Sequence, residues 1–325
     1  MTGLLIRALG LALLLGALAL PMLQAPDRPV ETLVARWAPP PSEFLDLNGQ
    51  LVHFRDEGPK SDPVPLVLLH GTSASLHTWD GWTKALRGQR RVIRLDLPAF
   101  GLTGPFSGSY AGQPYTGPAY AAFVLDVLDR LRVQRFVAAG NSLGGEVAWR
   151  IAATAPQRVA GLVLVDAGGY SVQDAAQRGT MPLGWQLARL PVLGHITEYL
   201  LPCQVIVQGL HAVYGDPSRI TEALVDRYFE LILRAGNRAA LVQRAQQWSR
   251  DEGVAHVTGV QAPTLVLWGG RDALLPPTLA QRFVADIPGA RLQVFDDLGH
   301  VPQEEDPVRT VAVVQAFLSL PTVKP

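Results

Sequence analysis

The chain has 325 residues, of which 48% are hydrophobic and 17% charged, and its 28 Lys and Arg residues balance 28 Asp and Glu residues. This composition supplies a large hydrophobic core and excludes an intrinsically disordered protein. A formal net charge of zero gives no long-range field that would favour nucleic acid or acidic partners, so we expect no polyanion ligand. The single cysteine, Cys203, excludes an intrachain disulfide, and its apolar neighbours favour a buried position.

The N-terminal segment differs from the rest of the chain, since residues 4–23 are apolar apart from Arg7. As a helix this stretch would be roughly 30 Å long, close to the thickness of a bilayer core. We therefore interpret residues 1–25 as a transmembrane anchor or a secretory signal, and the proline-rich residues 26–41 as a tether. An anchor with Arg7 in the cytoplasm would place the main domain outside it. A cleaved signal would instead make that domain a secreted protein.

Short apolar runs after the tether indicate the fold class. Asn48-Gly49 lies between two such segments and predicts a β-hairpin. Four later runs, most of them followed by turns and then by helical periodicity, predict parallel strands joined by crossover helices. These runs are residues 66–69, 92–95, 136–139 and 162–165. The sequence thus predicts an α/β fold with a mostly parallel central sheet and flanking helices.

The strand pattern weakens between residues 170 and 259, where apolar residues recur at helical spacing. Strand-like runs return at residues 264–268 and 292–295, before a last helix from about residue 307 to 318. We predict a helical cap at 170–259, inserted into a core made of residues 42–169 and 260–325. Aromatic and leucine side chains in the cap favour an apolar substrate group, although the same spacing is typical of helices that pack in a core.

One serine occupies an unusual position in the stretch FVAAGNSLGG, residues 136–145. Ser142 follows a predicted strand, precedes a predicted helix, and has glycines two residues away on both sides. A sharp strand-to-helix turn of this kind exposes the hydroxyl, and the helix N-terminus favours negative charge beside it. Ser142 is therefore the candidate nucleophile.

A serine nucleophile needs a base and an acid that orients the base. His300, in the stretch DDLGHVPQEEDP, follows the last predicted strand and is the candidate base. Asp272, in LVLWGGRDALLP, follows the strand before it and is the candidate acid. Asp166 also ends a strand and remains an alternative acid. The chain order Ser142, Asp272, His300 matches the serine-acid-histidine order of strand-turn-helix hydrolases.

The stretch LLHGTSASLHTW, residues 68–79, supplies candidate donors for an oxyanion. Gly71 would allow the backbone amide of Thr72 to turn inwards, where it could pair with the amide of Leu143. The alternative is a plain loop in which a serine caps the next helix. His70 in the same stretch is better interpreted as a structural residue.

Five motifs together resemble the α/β-hydrolase superfamily, and the resemblance covers nearly all of residues 44–318. They are His70-Gly71-Thr72, Asp96-Leu97-Pro98, Gly140-Asn141-Ser142-Leu143-Gly144-Gly145, Trp268-Gly269-Gly270-Arg271-Asp272 and Gly299-His300. The resemblance implies a serine nucleophile at Ser142 with Asp272 and His300 as its partners, and a helical cap. Ala99 departs from the pattern, since many relatives carry glycine there.

The subfamily stays open. His70 is not followed by a glycine pair or by GGPG, which argues against hormone-sensitive-lipase and proline-iminopeptidase types. A serine at 142 argues against epoxide hydrolases and haloalkane dehalogenases, whose nucleophile is an aspartate.

The expected function is hydrolysis of carboxylic esters of a small, apolar substrate through an acyl-enzyme, without metal or organic cofactor. The alternative enzyme is a carbon–carbon bond hydrolase of the meta-cleavage-product type, although its usual GPG-containing oxyanion loop is missing. A non-catalytic binding protein on the same fold is the third alternative, and the set Ser142, Asp272 and His300 argues against it.

Overall fold

The computed structural model describes residues 25–170, 199–247 and 254–320, together with positions 7, 10, 186, 188–190 and 323. Eight strands form one sheet in the order β1-β2-β4-β3-β5-β6-β7-β8. The strands are β1 (Ser42–Leu47), β2 (Gln50–Glu57), β3 (Leu66–Leu69), β4 (Val92–Leu95), β5 (Phe136–Asn141), β6 (Val159–Val165), β7 (Thr264–Gly269) and β8 (Arg291–Phe295). β2 pairs antiparallel with β1 and β4, and the pairs from β4 through β8 are parallel. The predicted α/β fold with a mostly parallel sheet is confirmed.

Helices connect and cover the strands. They are α1 (Val30–Trp37), α2 (Asp80–Leu86), α3 (Gly117–Arg130), α4 (Leu143–Thr154), α5 (Cys203–Val213), α6 (Glu222–Ile232), α7 (Asn237–Gln247), α8 (Thr278–Asp286), α9 (Pro302–Glu305) and α10 (Pro307–Leu318). The predicted hairpin turn is present, with φ of 55° at Asn48 and 87° at Gly49. Left-handed conformations at both central residues match the right-handed twist of the flanking strands.

The core lies on both faces of the sheet, because alternate residues of its central strands point to opposite sides. In β3, Val67 and Leu69 belong to a core cluster with residues of α3, α4 and α8, while Leu66 and Leu68 belong to a cluster with residues of α2 and α10. The four side chains are fully buried. Burial of each such side chain contributes roughly 1.5–3 kcal/mol. Because the sheet is covered on both faces, its central strands are continuous apolar runs in the sequence.

The parallel strands all end at the same edge of the sheet, and this edge gathers the polar residues predicted from the sequence. Ser142 follows β5, Asp166 follows β6, Asp272 lies three residues beyond β7, and His300 lies in the loop after β8. The strand order places β5, β6, β7 and β8 side by side. Residues that are distant in sequence are thereby brought together.

Two predictions need correction. The protein was expected to be membrane-anchored with its main domain outside the cytoplasm, but within the described ranges no helix is long and apolar enough to cross a membrane. The longest helix there, α3, has 14 residues, against about 20 needed to span. Residues 1–25, on which the anchor and the secreted alternative both depended, lie outside the described residues except for positions 7, 10 and 25. Cys203, expected to be buried, is exposed at the start of α5.

The division into core and cap stays a prediction. Between β6 and β7 the structure describes α5, α6 and α7, with no strand in residues 199–247 or 254–259. Much of the predicted cap from 171 to 198 lies outside the described residues. The described helices agree with helical spacing in this part of the sequence.

Candidate active site

Ser142 lies at a sharp turn between β5 and α4. Its φ of 54° and ψ of −115° are unfavourable for a residue with a side chain. A Cβ at Gly140 would lie closer than 3.0 Å to the backbone of Gly144, and a Cβ at Gly144 equally close to the carbonyl oxygen of Leu69. Only glycine therefore lets strand and helix approach closely enough to form this turn.

Backbone hydrogen bonds hold the turn in place. The amide of Ser142 donates to the carbonyl of Val165 at 3.0 Å, and the amide of Gly168 donates to the carbonyl of Ser142 at 2.8 Å. The side chain of Asn141 donates to the carbonyl oxygen of His300 at 2.9 Å. The residue next to Ser142 thus contacts the residue that carries the candidate base.

Asp272 and His300 form a buried hydrogen-bonded pair. The distance from His300 Nδ1 to Asp272 Oδ2 is 2.7 Å, and the two side chains are 6% and 0% exposed. Asp272 Oδ1 accepts the amides of Leu274 at 2.8 Å and Leu275 at 2.9 Å. Since Nδ1–H donates to the carboxylate, Nε2 is the nitrogen that can accept a proton.

Asp166 is a second carboxyl beside this pair. Single oxygen or nitrogen atoms of Asp166, Asp272 and His300 all lie within 4.8 Å of one another. Burial, followed by the charge of Asp272, raises the pKa of Asp166 well above its usual range. Three such groups could hold a metal ion by spacing, but Nδ1 of His300 and Oδ2 of Asp272 are already bonded to each other.

The loop after β3 packs directly on the serine turn. A Cβ at Gly71 would lie 3.1 Å from the Cβ of Ser142 and 2.9 Å from Oδ1 of Asn141. Thr72 follows and is half-buried, while Leu143 is the first residue of α4. The capping alternative finds no support in the Ser75 side chain, which makes no capping bond.

His70 has the structural role predicted from its sequence position. Its Nδ1 donates to the carbonyl oxygen of Gly71 at 2.7 Å, and its Nε2 accepts the amide of Leu97 at 3.0 Å. Burial lowers the pKa of His70, so its ring is neutral and both nitrogens are occupied. It fixes the loop that leads to Thr72.

Glu305 was not among the residues predicted from the sequence. This buried carboxylate accepts the amides of Gly299 at 2.8 Å, Asp216 at 2.8 Å and Gly215 at 3.0 Å. It therefore joins the loop that carries His300 to the turn after α5. Backbone amides leave no pattern in a sequence. The run QEED therefore does not indicate which of its carboxylates will accept them.

A second hydrogen-bonded set of serine, histidine and aspartate was also not predicted from the sequence. His53 Nδ1 lies 2.7 Å from Asp96 Oδ2, and His53 Nε2 lies 2.9 Å from the hydroxyl of Ser42. Arg55 donates to the same hydroxyl at 2.8 Å. Ser42 begins the first strand of the hairpin, so it has no helix N-terminus behind it. These three residues link the hairpin to the end of β4. Ser42 therefore serves as a control serine for tests of the chemistry at Ser142.

A polar cavity of about 250 Å³ lies between the start of α2, the turn after α5 and α9. Its lining includes His77, Tyr214, Arg227 and Gln303, but neither Ser142 nor His300. It is therefore separate from the candidate nucleophile.

Comparisons with known proteins identify the family of the chain. The family model for the alpha/beta hydrolase family matches residues 66–313. The chain belongs to this family.

Relatives by sequence extend over most of the chain. It is 29% identical over 295 residues to an uncharacterized protein of Mycobacterium tuberculosis, with 86% of this chain and 82% of that protein covered. It is 30% identical over 278 residues to a 2-hydroxy-6-oxononadienedioate/2-hydroxy-6-oxononatrienedioate hydrolase of Burkholderia vietnamiensis, with 82% and 90% covered. A solved structure of a hydrolase from Pseudomonas aeruginosa has a TM-score of 0.68 at 27% identity, with 86% and 99% covered.

Proposed function

We propose that this protein is a serine hydrolase that cleaves carboxylic ester bonds of a small, apolar substrate through an acyl-enzyme. Ser142 is the nucleophile, His300 the general base and Asp272 the acid that orients it. The amides of Thr72 and Leu143 form the oxyanion hole. No metal or organic cofactor takes part in this mechanism.

The observation that carries the proposal is the buried contact between His300 and Asp272 at the sheet edge where Ser142 turns into α4. The strained φ of 54° at Ser142 supports a functional role, because such strain persists only where the surroundings enforce it. The bond from Asn141 to the His300 carbonyl supports a fixed spacing between the serine turn and the base.

In the first half-reaction, Nε2 of His300 accepts the hydroxyl proton while Ser142 Oγ attacks the carbonyl carbon. Negative charge develops on the carbonyl oxygen, where the amides of Thr72 and Leu143 and the N-terminus of α4 stabilise it. The imidazolium then gives its proton to the leaving alkoxide, and the ester C–O bond breaks. Asp272 stabilises the imidazolium and keeps Nδ1 protonated.

In the second half-reaction, a water molecule replaces the alcohol. His300 accepts a proton from this water as its oxygen attacks the acyl carbon, and the same two amides stabilise the second oxyanion. The proton returns to Ser142 Oγ as the acid leaves. The enzyme is restored without net proton gain.

A serine-directed fluorophosphonate probe and nitrophenyl esters of increasing chain length test the proposal. The wild type and Ser42→Ala should be labelled and should hydrolyse the esters. Ser142→Ala should lose labelling and lose activity by about 10³-fold or more. Equal labelling and turnover in Ser142→Ala would overturn the assignment of the nucleophile, and loss in Ser42→Ala alone would move it to Ser42. The chain-length profile would then define the acyl preference.

A second candidate is hydrolysis of carbon–carbon bonds in vinylogous diketones. The 30% identity to the relative from Burkholderia vietnamiensis favours it. The sequence TSASLHTW after Gly71 lacks the GPG that such enzymes usually carry, and this favours ester hydrolysis. Turnover of a coloured dienoate substrate at a higher kcat/KM than any nitrophenyl ester would replace the first proposal with the second.

A further inference from the structure

The side chain of Asp166 occupies a position where an ionised carboxylate would be poorly stabilised. It is 0% exposed and lies directly after β6 with a φ of 43°. Oδ1 accepts the amide of Gly269 at 2.9 Å. Oδ2 is buried and, within the described residues, finds no donor. A buried carboxylate oxygen without a donor is costly, because it loses its hydration and gains nothing in return.

Asp272 has the opposite surroundings, although it lies beside Asp166. Its two oxygens accept three donors, namely the amides of Leu274 and Leu275 and Nδ1 of His300. Two carboxylates that share one buried site cannot both ionise readily, so one of them holds a proton. The three donors stabilise a negative charge on Asp272, and the single donor at Asp166 stabilises a charge there less. The proton therefore belongs on Asp166.

We propose that Asp166 is a neutral carboxylic acid at neutral pH and donates its proton to the Asp272 carboxylate. Once protonated, the oxygen Oδ2, which accepts from no donor, can itself donate. Asp272, which has an oxygen within 4.8 Å of an Asp166 oxygen, is the acceptor. Asp166 is thus a positioning residue, which acts on His300 through Asp272. Its role in hydrolysis rests on the proposed function, but its protonation does not.

The direction of the pKa shift agrees with this geometry. Burial raises the pKa of Asp166 most, and the charges of Asp272 and then Glu305 raise it further, while the bond from Gly269 lowers it. Among the described residues, the titratable groups close to Asp166 are Asp272 and His300, which each have an atom within 4.8 Å, and Glu305, whose charge raises the pKa of Asp166. A neutral Asp166 leaves His300 beside one carboxylate charge rather than two. An ionised Asp166 would favour the imidazolium and make His300 a stronger base.

Asp166→Asn tests the proposal, because an amide keeps the shape, the neutral charge and an N–H donor. We expect the acid limb of the kcat/KM profile to shift by less than about 0.5 units, since no charge is removed. We expect Asp166→Ala, which removes the donor to Asp272, to lower kcat more than Asp166→Asn does. A fall of about one unit or more in the His300 pKa of Asp166→Asn would show that a negative charge was removed, and it would overturn the proposal.

Two spectroscopic measurements do not require turnover. Infrared spectra of the wild type at neutral pH should contain the carbonyl stretch of a buried protonated carboxyl, and Asp166→Asn should lose it. Absence of that band from the wild type would overturn the proposal even if no variant folds. NMR titration of isotope-labelled histidine, assigned with His300→Gln, reports the His300 pKa directly. An active Ser142→Ala variant would instead contradict the proposed function and leave the infrared result intact.

Discussion

His300 Nδ1 lies 2.7 Å from Asp272 Oδ2, and neither side chain is more than 6% exposed. Since Asp272 Oδ1 is already held by two backbone amides, the remaining oxygen has a fixed direction. The carboxylate therefore selects one imidazole tautomer, the one that leaves Nε2 free to accept a proton.

Asp272→Asn should lower kcat by about 10³- to 10⁴-fold with a small effect on KM, because an amide group facing Nδ1 favours the wrong tautomer. Steady-state kinetics on a nitrophenyl ester measures this effect. Asp297→Asn is the matched control, since Asp297 is 46% exposed, lies closer to His300 in sequence and bonds to Arg309. It should keep its activity. Near-normal activity in Asp272→Asn with loss in Asp166→Asn would transfer the role of the acid to Asp166.

Gly144→Ala should destabilise the fold by about 3 kcal/mol or more, because the new Cβ would overlap the backbone of Leu69 and His70. Gly88→Ala is the control, since a Cβ there meets no atom within 4 Å and the residue is exposed. That change should be neutral or stabilise by up to about 1 kcal/mol. Urea unfolding followed by circular dichroism gives both values. Equal stability of the two variants would mean that the strand and helix at Ser142 tolerate a wider separation.

The sheet and the positions of Ser142, Asp272 and His300 could be predicted because they depend on local patterns. Apolar runs define strands, and the ends of parallel strands meet at one edge, so residues there become neighbours without any knowledge of the long-range contacts. Ala99 is the position at which the sequence departs from the family motif. Its φ of 79° explains why glycine would suit that position.

The protonation of Asp166 and the bonds to Glu305 could not be predicted. Each depends on which backbone amides donate to a carboxylate. The amide of Gly269 at Asp166, and those of Gly215 and Asp216 at Glu305, come from distant segments of the sequence. The sequence favours Asp272 as the acid and leaves Asp166 as an alternative. The number of donors around each carboxylate distinguishes them, and this number exists only in the folded chain.

His77 should make the protein less stable in mild acid. Its Nε2 donates to the carbonyl of Trp37 at 2.8 Å and its Nδ1 accepts the hydroxyl of Ser75 at 3.0 Å. Burial lowers the pKa of His77 to about 3. The unfolded chain therefore binds a proton between the ordinary histidine pKa and about 3, where the native state does not. This contribution to stability is present above the unfolded pKa of about 6.5 and is lost as the pH falls.

Chemical unfolding at pH 6.5 and pH 5.0 measures the contribution of His77. The unfolding free energy of the wild type should fall by up to about 2 kcal/mol more than that of His77→Gln over this interval. The comparison is needed because Asp166, whose raised pKa gives a dependence of opposite sign, is present in both proteins. His256→Gln, at an exposed position, should retain the wild-type dependence. Parallel curves for the wild type and His77→Gln would show that His77 titrates alike in both states.

Glu305→Gln should lower both stability and kcat, because an amide cannot accept the three backbone donors that the carboxylate binds. Charge-assisted hydrogen bonds contribute about 1.5–3 kcal/mol each, so loss of one or two should be large in a melting experiment. One of these donors, the amide of Gly299, precedes His300, whose own amide donates to the carbonyl of Val213 at 2.7 Å. The loop that presents the base should therefore shift.

Glu304→Gln separates loss of stability from displacement of His300. Glu304 is the neighbouring, partly buried carboxylate, but it bonds to Arg227 and Tyr228 on α6 rather than to the His300 loop. Removing a partner from this ion pair should destabilise by about 3–5 kcal/mol. Measured at a temperature where both variants are folded, kcat should fall in Glu305→Gln and stay close to the wild-type value in Glu304→Gln. Equal kcat values in the two variants would mean that Glu305 supports the fold without positioning His300.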